Sequence, residues 1–197
     1  QDHIPAVLWS DPRVPDRTRR HLADGDDPLP WLLHGIEGLQ QAGGGAIAIP
    51  CNTAHGWYDA MQAAARLPIL HIVDAAADDL RRNGIGPGTI GVMGTQATLD
   101  MRLYQDRLQR LGWDCLIPDR ADMDRLVSPA VAAAQANRVA DAYAPLLQAF
   151  NGLAARGAAA VVLGCTEIPL GIQAGPQAAL RVPAIDNCPL EGQRCVK

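Results

Sequence analysis

The sequence lacks most of the features that mark specialised protein classes. No apolar run approaches the ~20 residues that a bilayer-crossing helix needs. The opening residues, QDHIPAVLWS, carry no basic stretch followed by an apolar run and small residues, so no secretory signal is visible. Basic blocks are missing too. The net charge of −4 is spread along the chain, which argues against a nucleic-acid-binding surface. There is no Cys-x-x-Cys pair, and the five cysteines fall at irregular spacings, so a disulfide scaffold is not indicated. Cys51 and His55 could share a helix face, but no second ligand pair at usable spacing follows, which speaks against zinc. Together these absences predict a reducing, cytoplasmic setting with free thiols and no metal. What remains is ordinary for a globular chain: 197 residues, 48% hydrophobic and 19% charged, enough for one domain or two small ones.

Apolar runs of strand length alternate with stretches of helical character. The runs are PAVLW (5–9), AIAIP (46–50), ILHIV (69–73), TIGVMG (89–94), DCLIP (114–118), AAVVLG (159–164) and VPAID (182–186). Helices are predicted over 28–42, 54–66, 74–83, 97–111, 135–156 and 166–174. Continuous apolar strands separated by helices indicate an α/β fold, with parallel sheet covered on both faces. The chain also repeats itself. QQAGGG, AIAIP, CNT, a helix and LPILHIVD match AARGA, AAVVLG, CTE, a helix and RVPAID. Earlier in each copy, IPAVLWSDPRVPD matches WDCLIPDRADMD, a strand running into a Pro-Asp loop. The fold expected is therefore two similar parallel-sheet lobes related by a pseudo-twofold duplication, with a site in the cleft between them. The second copy opens with GTIGVMGTQATLD, for which the first copy has no counterpart, and the end stops soon after PAID. The expectation is that a first strand and helix of the first lobe lie outside this sequence.

Two cysteines stand at equivalent points of the duplication: Cys51 in AIPCNTAHG and Cys165 in VVLGCTEIPL, each ending an apolar run and each followed by a Thr. In parallel α/β sheets the carboxyl ends of the strands form the crevice where ligands bind. Free N–H groups at a helix start favour thiolate and can hold a carboxylate; here they come from Asn52, Thr53, Thr166 and Glu167. Cys115, inside WDCLIP, reads as a packing residue, since buried free cysteine is often an inert small hydrophobe. Cys188 and Cys195 sit in a tail without periodicity and carry no assignment. If the copies face each other, their two sulfurs flank one bound molecule. One sulfur could take a proton from a carbon and the other return one on the reverse face, which is racemisation by general acid–base catalysis. A single reactive sulfur would instead indicate covalent chemistry.

PCNTAH and GCTEIPL, with PRVPDRT near the start, resemble the aspartate/glutamate racemase superfamily. GCTE is similar to its aspartate racemase branch, because Glu167 stands where glutamate racemases usually carry His. The resemblance implies a cofactor-independent amino-acid racemase, with Cys51 and Cys165 as the acid/base pair. It implies that Asn52, Thr53 and Thr166 hold the α-carboxylate and amino group, with Glu167 beside them. Arg17 would reach the side-chain carboxylate, as a planar fork suits; alternatively Arg17 and Asp16 form a loop ion pair. His55 either orients the Cys51 helix or is solvated. Two features depart from the family. A Gly-rich loop after the first strand is absent from the sequence, and Ala132, in SPAVAAAQAN, stands about where aspartate racemases carry a Lys, which makes a broad-specificity racemase credible. By the family's architecture the last strand of each copy crosses over, giving one lobe of 1–66 plus 180–197 and another of 67–179. A homodimer acting on a small acidic amino acid, with no nucleic acid or membrane partner, is the expectation. A cysteine-dependent lyase or isomerase of small dicarboxylates, and a non-catalytic binder of an acidic metabolite, are the alternatives.

Overall fold

The computed structural model describes residues 5–21 and 25–186. Cys188 and Cys195 lie outside them. In chain order come α1 (Arg17–His21), α2 (Leu29–Gln41), β1 (Ile47–Ala48), a 3-10 turn (Thr53–Trp57) leading into α3 (Tyr58–Ala64), and β2 (Ile69–Leu70). Next are α4 (Ile72–Arg82), β3 (Gly88–Gly94), α5 (Gln96–Asp100), α6 (Leu103–Arg110) and β4 (Trp113–Leu116). The last part holds α7 (Arg120–Asp122), a π turn (Met123–Val127), α8 (Ser128–Gln135), α9 (Val139–Ala155), β5 (Val161–Gly164), α10 (Glu167–Gln173) and β6 (Ala184–Asp186). Side-chain caps fix several helix starts, among them α4, where His71 accepts the Val73 N–H, α5, where Thr95 accepts the Thr98 N–H, and α7, where Asp119 accepts the Asp122 N–H. Asp74 in the first turn of α4 and Arg81 and Arg82 in its last also suit the helix dipole.

The strands form two parallel sheets, as an α/β chain with two lobes requires. β1 pairs with β2, and a second sheet has the order β4-β3-β5-β6. β5 is buried along its whole length and β3 along its last five residues, which is how strands covered on both faces behave. The path from β3 to β4 runs one way along the sheet, and the path from β4 to β5 runs back across β3. Right-handed crossovers then place α6 and α9 on opposite faces. The reversal puts a topological switch point between β3 and β5, so the crevice opens at Gly94–Thr95 and Gly164–Cys165. The larger core fills this lobe, around Leu80, Ile90, Leu108, Phe150 and Val162. A smaller one holds the first lobe together: Ile36, Ile47, Met61 and Ile69. Full burial of each such side chain favours folding by ~1.5–3 kcal/mol.

Three expectations need correction. The segment PAVLW is not a strand: residues 5–10 make no ladder, and Val7 and Leu8 are exposed. Among the described residues its counterpart β4 pairs with β3 alone, and the first copy has no strand equivalent to β3. Second, the last strand of each copy does not cross over. Ile69–Leu70 pairs with β1, and Ala184–Asp186 with β5. Equivalent bonds lock both: the Ile47 N–H donates to Pro68 O at 2.9 Å, and the Val161 N–H to Pro183 O at 2.9 Å. The passage between lobes is made after Leu70, where α4 leaves to pack against α6 and β6. Third, residues 120–134, which carried no predicted element, are helical, because the Ala-rich stretch after Pro129 packs against α9 and α10.

Candidate active site

The end of β1 and the end of β5 converge on one cavity of about 100 Å³. Cys51, Asn52 and Thr53 line it from the first lobe, together with Asp16 and Arg17; Cys165, Thr166 and Glu167 line it from the second. Each residue expected from the sequence to act as acid/base or to hold substrate, Cys51, Cys165, Asn52, Thr53, Thr166, Glu167 and Arg17, therefore reaches the same cavity. Arg17 is the one cationic side chain among the described residues of its wall. Its guanidinium donates to Pro15 O at 3.0 Å, while Asp16 caps α1 by accepting the N–H groups of Thr18 and Arg19. Asp16 thus serves the helix start, and Arg17 keeps further donors.

Cys165 is 5% exposed and its thiol donates to Glu167 Oε2 at 2.9 Å. The same oxygen accepts from Thr166 Oγ1 at 2.9 Å, and Gln135 Nε2 donates to Oε1 at 3.2 Å. Burial, and then the charge of Glu167, push the Cys165 thiol far above its ordinary value. Burial also pushes the Glu167 carboxyl up, but the hydrogen bonds from Cys165, Gln135 and Thr166 outweigh it and hold it below its usual value. The pair is therefore a thiol beside a carboxylate. Cys51 is half-buried, and among the described residues no carboxylate hydrogen-bonds its sulfur. The two sulfurs sit in unlike surroundings.

His55 is buried and orients the Cys51 turn. Its Nδ1 lies 2.9 Å from Cys51 O, which can only accept, and its Nε2 lies 3.2 Å from the Ile72 N–H, which can only donate. The ring is therefore neutral, with its proton on Nδ1, and burial lowers its pKa. This answers the open choice between orienting and solvated roles: His55 ties Cys51 to the point where the chain changes lobes. Tyr104 of α6 donates to Asn52 Oδ1, and Thr53, Thr95 and Thr98 form a hydroxyl cluster at 3.0–3.3 Å. Both contacts join the lobes at the cavity.

Thr95 and Gln135 line the cavity but were not singled out from the sequence. Thr95 ends β3 as Cys165 ends β5, and the strand-turn-helix start GTQATLD was its signal. Gln135 is the one strongly polar side chain in SPAVAAAQ; nothing in its spacing points to the cavity. Cys115 lies on β4, packed against the core, where burial pushes its thiol up to about 12. Among the described residues no group of three or more His, Cys, Asp or Glu could hold a metal ion, and no helix is long and apolar enough to cross a membrane.

The family described as Asp/Glu/Hydantoin racemase matches residues 1–190. The chain belongs to this family. Among solved structures it is similar to the aspartate racemase of Picrophilus torridus, with a TM-score of 0.78 and 26% identity, covering 95% of this chain and 76% of that one. The glutamate racemase isoform RacE1 of Bacillus anthracis shares the fold, with a TM-score of 0.61 at 22% identity, over 81% of this chain and 59% of that one. The broad specificity amino-acid racemase RacX of Bacillus subtilis is 31% identical over 96 residues, which span 49% of this chain and 41% of that relative. Against this background the cysteine pair of the cavity carries a chemical reading.

Proposed function

We propose that the protein is a cofactor-independent amino-acid racemase acting on aspartate by a two-base mechanism. The observation that carries the reading is a single cavity with Cys51 entering from one lobe and Cys165 from the other. The substrate carboxylate sits at the first-turn N–H groups after the two cysteines, with the Thr53 and Thr166 hydroxyls beside it. Arg17 takes the side-chain carboxylate. Cys51, as thiolate, removes the Cα proton, and Cys165 delivers its own proton to the opposite face. The cycle leaves Cys51 as thiol and Cys165 as thiolate, set for the opposite enantiomer. Glu167 holds Cys165 protonated until its turn, so the first direction uses Cys165 as the acid. The carbanion-like state gains from fixed dipoles in a small cavity rather than from an electron sink.

Replacing either cysteine tests this. Cys51→Ala and Cys165→Ala are each expected to lose racemisation by at least ~10²-fold. Each should retain deuterium uptake at Cα of one aspartate enantiomer without inversion, and the two variants should act on opposite enantiomers. Exchange of the same enantiomer by both variants, or exchange by neither with the native chain also inactive, would sink the reading. A broad-specificity racemase is the second reading. One cation in the described wall, and Ala132 where a Lys was expected, favour it, since a second anchor for a side-chain carboxylate is then missing.

A further inference from the structure

A larger cavity, of about 350 Å³, opens between the lobes and shares no lining residue with the cysteine cavity. Its size falls within the ~300–1,000 Å³ of small-molecule sites. His55, Tyr58 and His71 wall it on one side, and Arg102, Arg107 and Arg110 on the other. We propose that it is a second ligand site, taking a phosphate monoester or free phosphate, which acts on Cys51 through His55.

The donors of this wall outnumber its acceptors. Arg107 holds Asp74 with Nε and one terminal nitrogen, at 2.5 and 2.7 Å, which leaves its other terminal nitrogen for a ligand. Arg102 spends only Nε on Asp106, at 2.8 Å. Arg110 is exposed and makes no side-chain hydrogen bond or ion pair among the described residues. His71 Nδ1 accepts the Val73 N–H at 3.1 Å, so the neutral ring carries its proton on Nε2 as one more donor. Against these stand Asp106, already met by Arg102, and Asp59 at the exposed rim. Terminal nitrogens of three arginines and an imidazole N–H thus line one cavity, a donor set able to meet the several oxygens of a tetrahedral oxyanion. The Tyr58 ring packs on His71, with centroids 4.4 Å apart, and has Arg107 over it at 5.6 Å, so it braces two of the donors.

Arg102 adds an independent sign. Its φ of 54° puts a residue with a Cβ in the left-handed region, a strain that gathers at ligand clamps and active sites. The route to the cysteine is short. The His71 ring centroid lies 5.1 Å from that of His55, and His55 bonds Cys51 O. An oxyanion drawn onto His71 and Arg107 therefore bears on the turn that presents Cys51. This regulatory half rests on the reading of Cys51 as an acid/base residue; the binding half does not.

The test titrates the ¹⁵N-labelled full chain with inorganic phosphate and, separately, glycerol 3-phosphate, at ionic strength fixed by chloride. Saturable shifts of the Arg102, Arg107 and Arg110 Nε–Hε signals and of the His71 ring are expected. Arg110→Ala should weaken binding about tenfold, and Arg110→Lys by less. Racemisation of aspartate should change with phosphate in the native chain and not in Arg110→Ala. Failure of both probes to saturate, equal shifts from chloride, or shifts unchanged in Arg110→Ala would overturn the site. So would closure of the cavity by a second copy as chain concentration rises. Binding without any effect on an active racemase would overturn the regulatory half alone, and a chain that binds phosphate but racemises nothing would leave the site standing while removing the catalytic reading.

Discussion

Glu167 widens a difference between the two cysteines that burial begins. Its carboxylate takes the Cys165 and Thr166 protons on one oxygen and the Gln135 amide on the other, so both oxygens work within their own lobe. Removing its charge takes away one cause of the raised Cys165 thiol. Glu167→Gln is therefore expected to lower the pH at which Cys165 becomes reactive, seen as faster alkylation at a given pH in peptide mass spectra, while burial keeps the thiol above its ordinary value. An unchanged alkylation profile would mean that burial alone sets the sulfur's acidity. Residue type made the cysteines legible in the sequence: a sulfur at the end of an apolar run, twice, has few structural uses. The pairing of Cys165 with Glu167 was not legible, because adjacency in sequence says nothing about which way a carboxylate turns. Thr95 was hidden for a related reason, since a Thr that caps a helix reads as capping and nothing more.

At the scale of elements, the end of β5 depends on Gly164. A Cβ there would lie 2.9 Å from the Tyr104 ring and 3.0 Å from Met93 O, so the adjoining β3 backbone leaves no room. Gly164→Ala should destabilise by ~1–3 kcal/mol in urea unfolding and reduce turnover, because Tyr104 carries the bond to Asn52. Gly152, within α9, meets nothing within 4 Å, and Gly152→Ala should stabilise by ~0.5–1 kcal/mol by the same measurement. The start of α4 carries a pH dependence. His71 and His55 are both held neutral: burial is the first cause for each, and for His71 it brings the pKa to about 3. The unfolded chain takes up these protons near pH 6.5, so acid favours unfolding. Their contribution is complete above about pH 6.5 and is lost as pH falls below it. The Arg107–Asp74 pair beside them holds the Asp74 carboxyl below its ordinary value, so it titrates at lower pH still. The melting temperature should fall between pH 6.5 and 5, and His71→Asn, which keeps an acceptor for the Val73 N–H, should flatten that fall. Periodicity located β3, β5 and most helices because burial on both faces leaves an apolar run. It misplaced residues 5–9 because apolar character marks only a willingness to pair, while a strand exists only beside another.

The duplication was the most legible feature of the whole molecule, and it predicted two lobes with a shared cleft. What it could not supply was which side of the joint each strand falls on, since the Pro68 and Pro183 carbonyls that fix this are ordinary turn residues in the sequence. The joint itself is polar: threonine hydroxyls, Tyr104 on Asn52, and His55 on the Ile72 N–H. Each lobe brings one sulfur to a space of about 100 Å³. Release of a molecule of amino-acid size by a parting of the halves would break those bonds. If that parting, the opening of a jaw, is slower than proton traffic, it paces turnover. Sucrose or another viscogen should slow kcat in proportion to viscosity while a Cα-deuterium isotope effect stays small, and a full isotope effect insensitive to viscosity would show that the jaw opens freely.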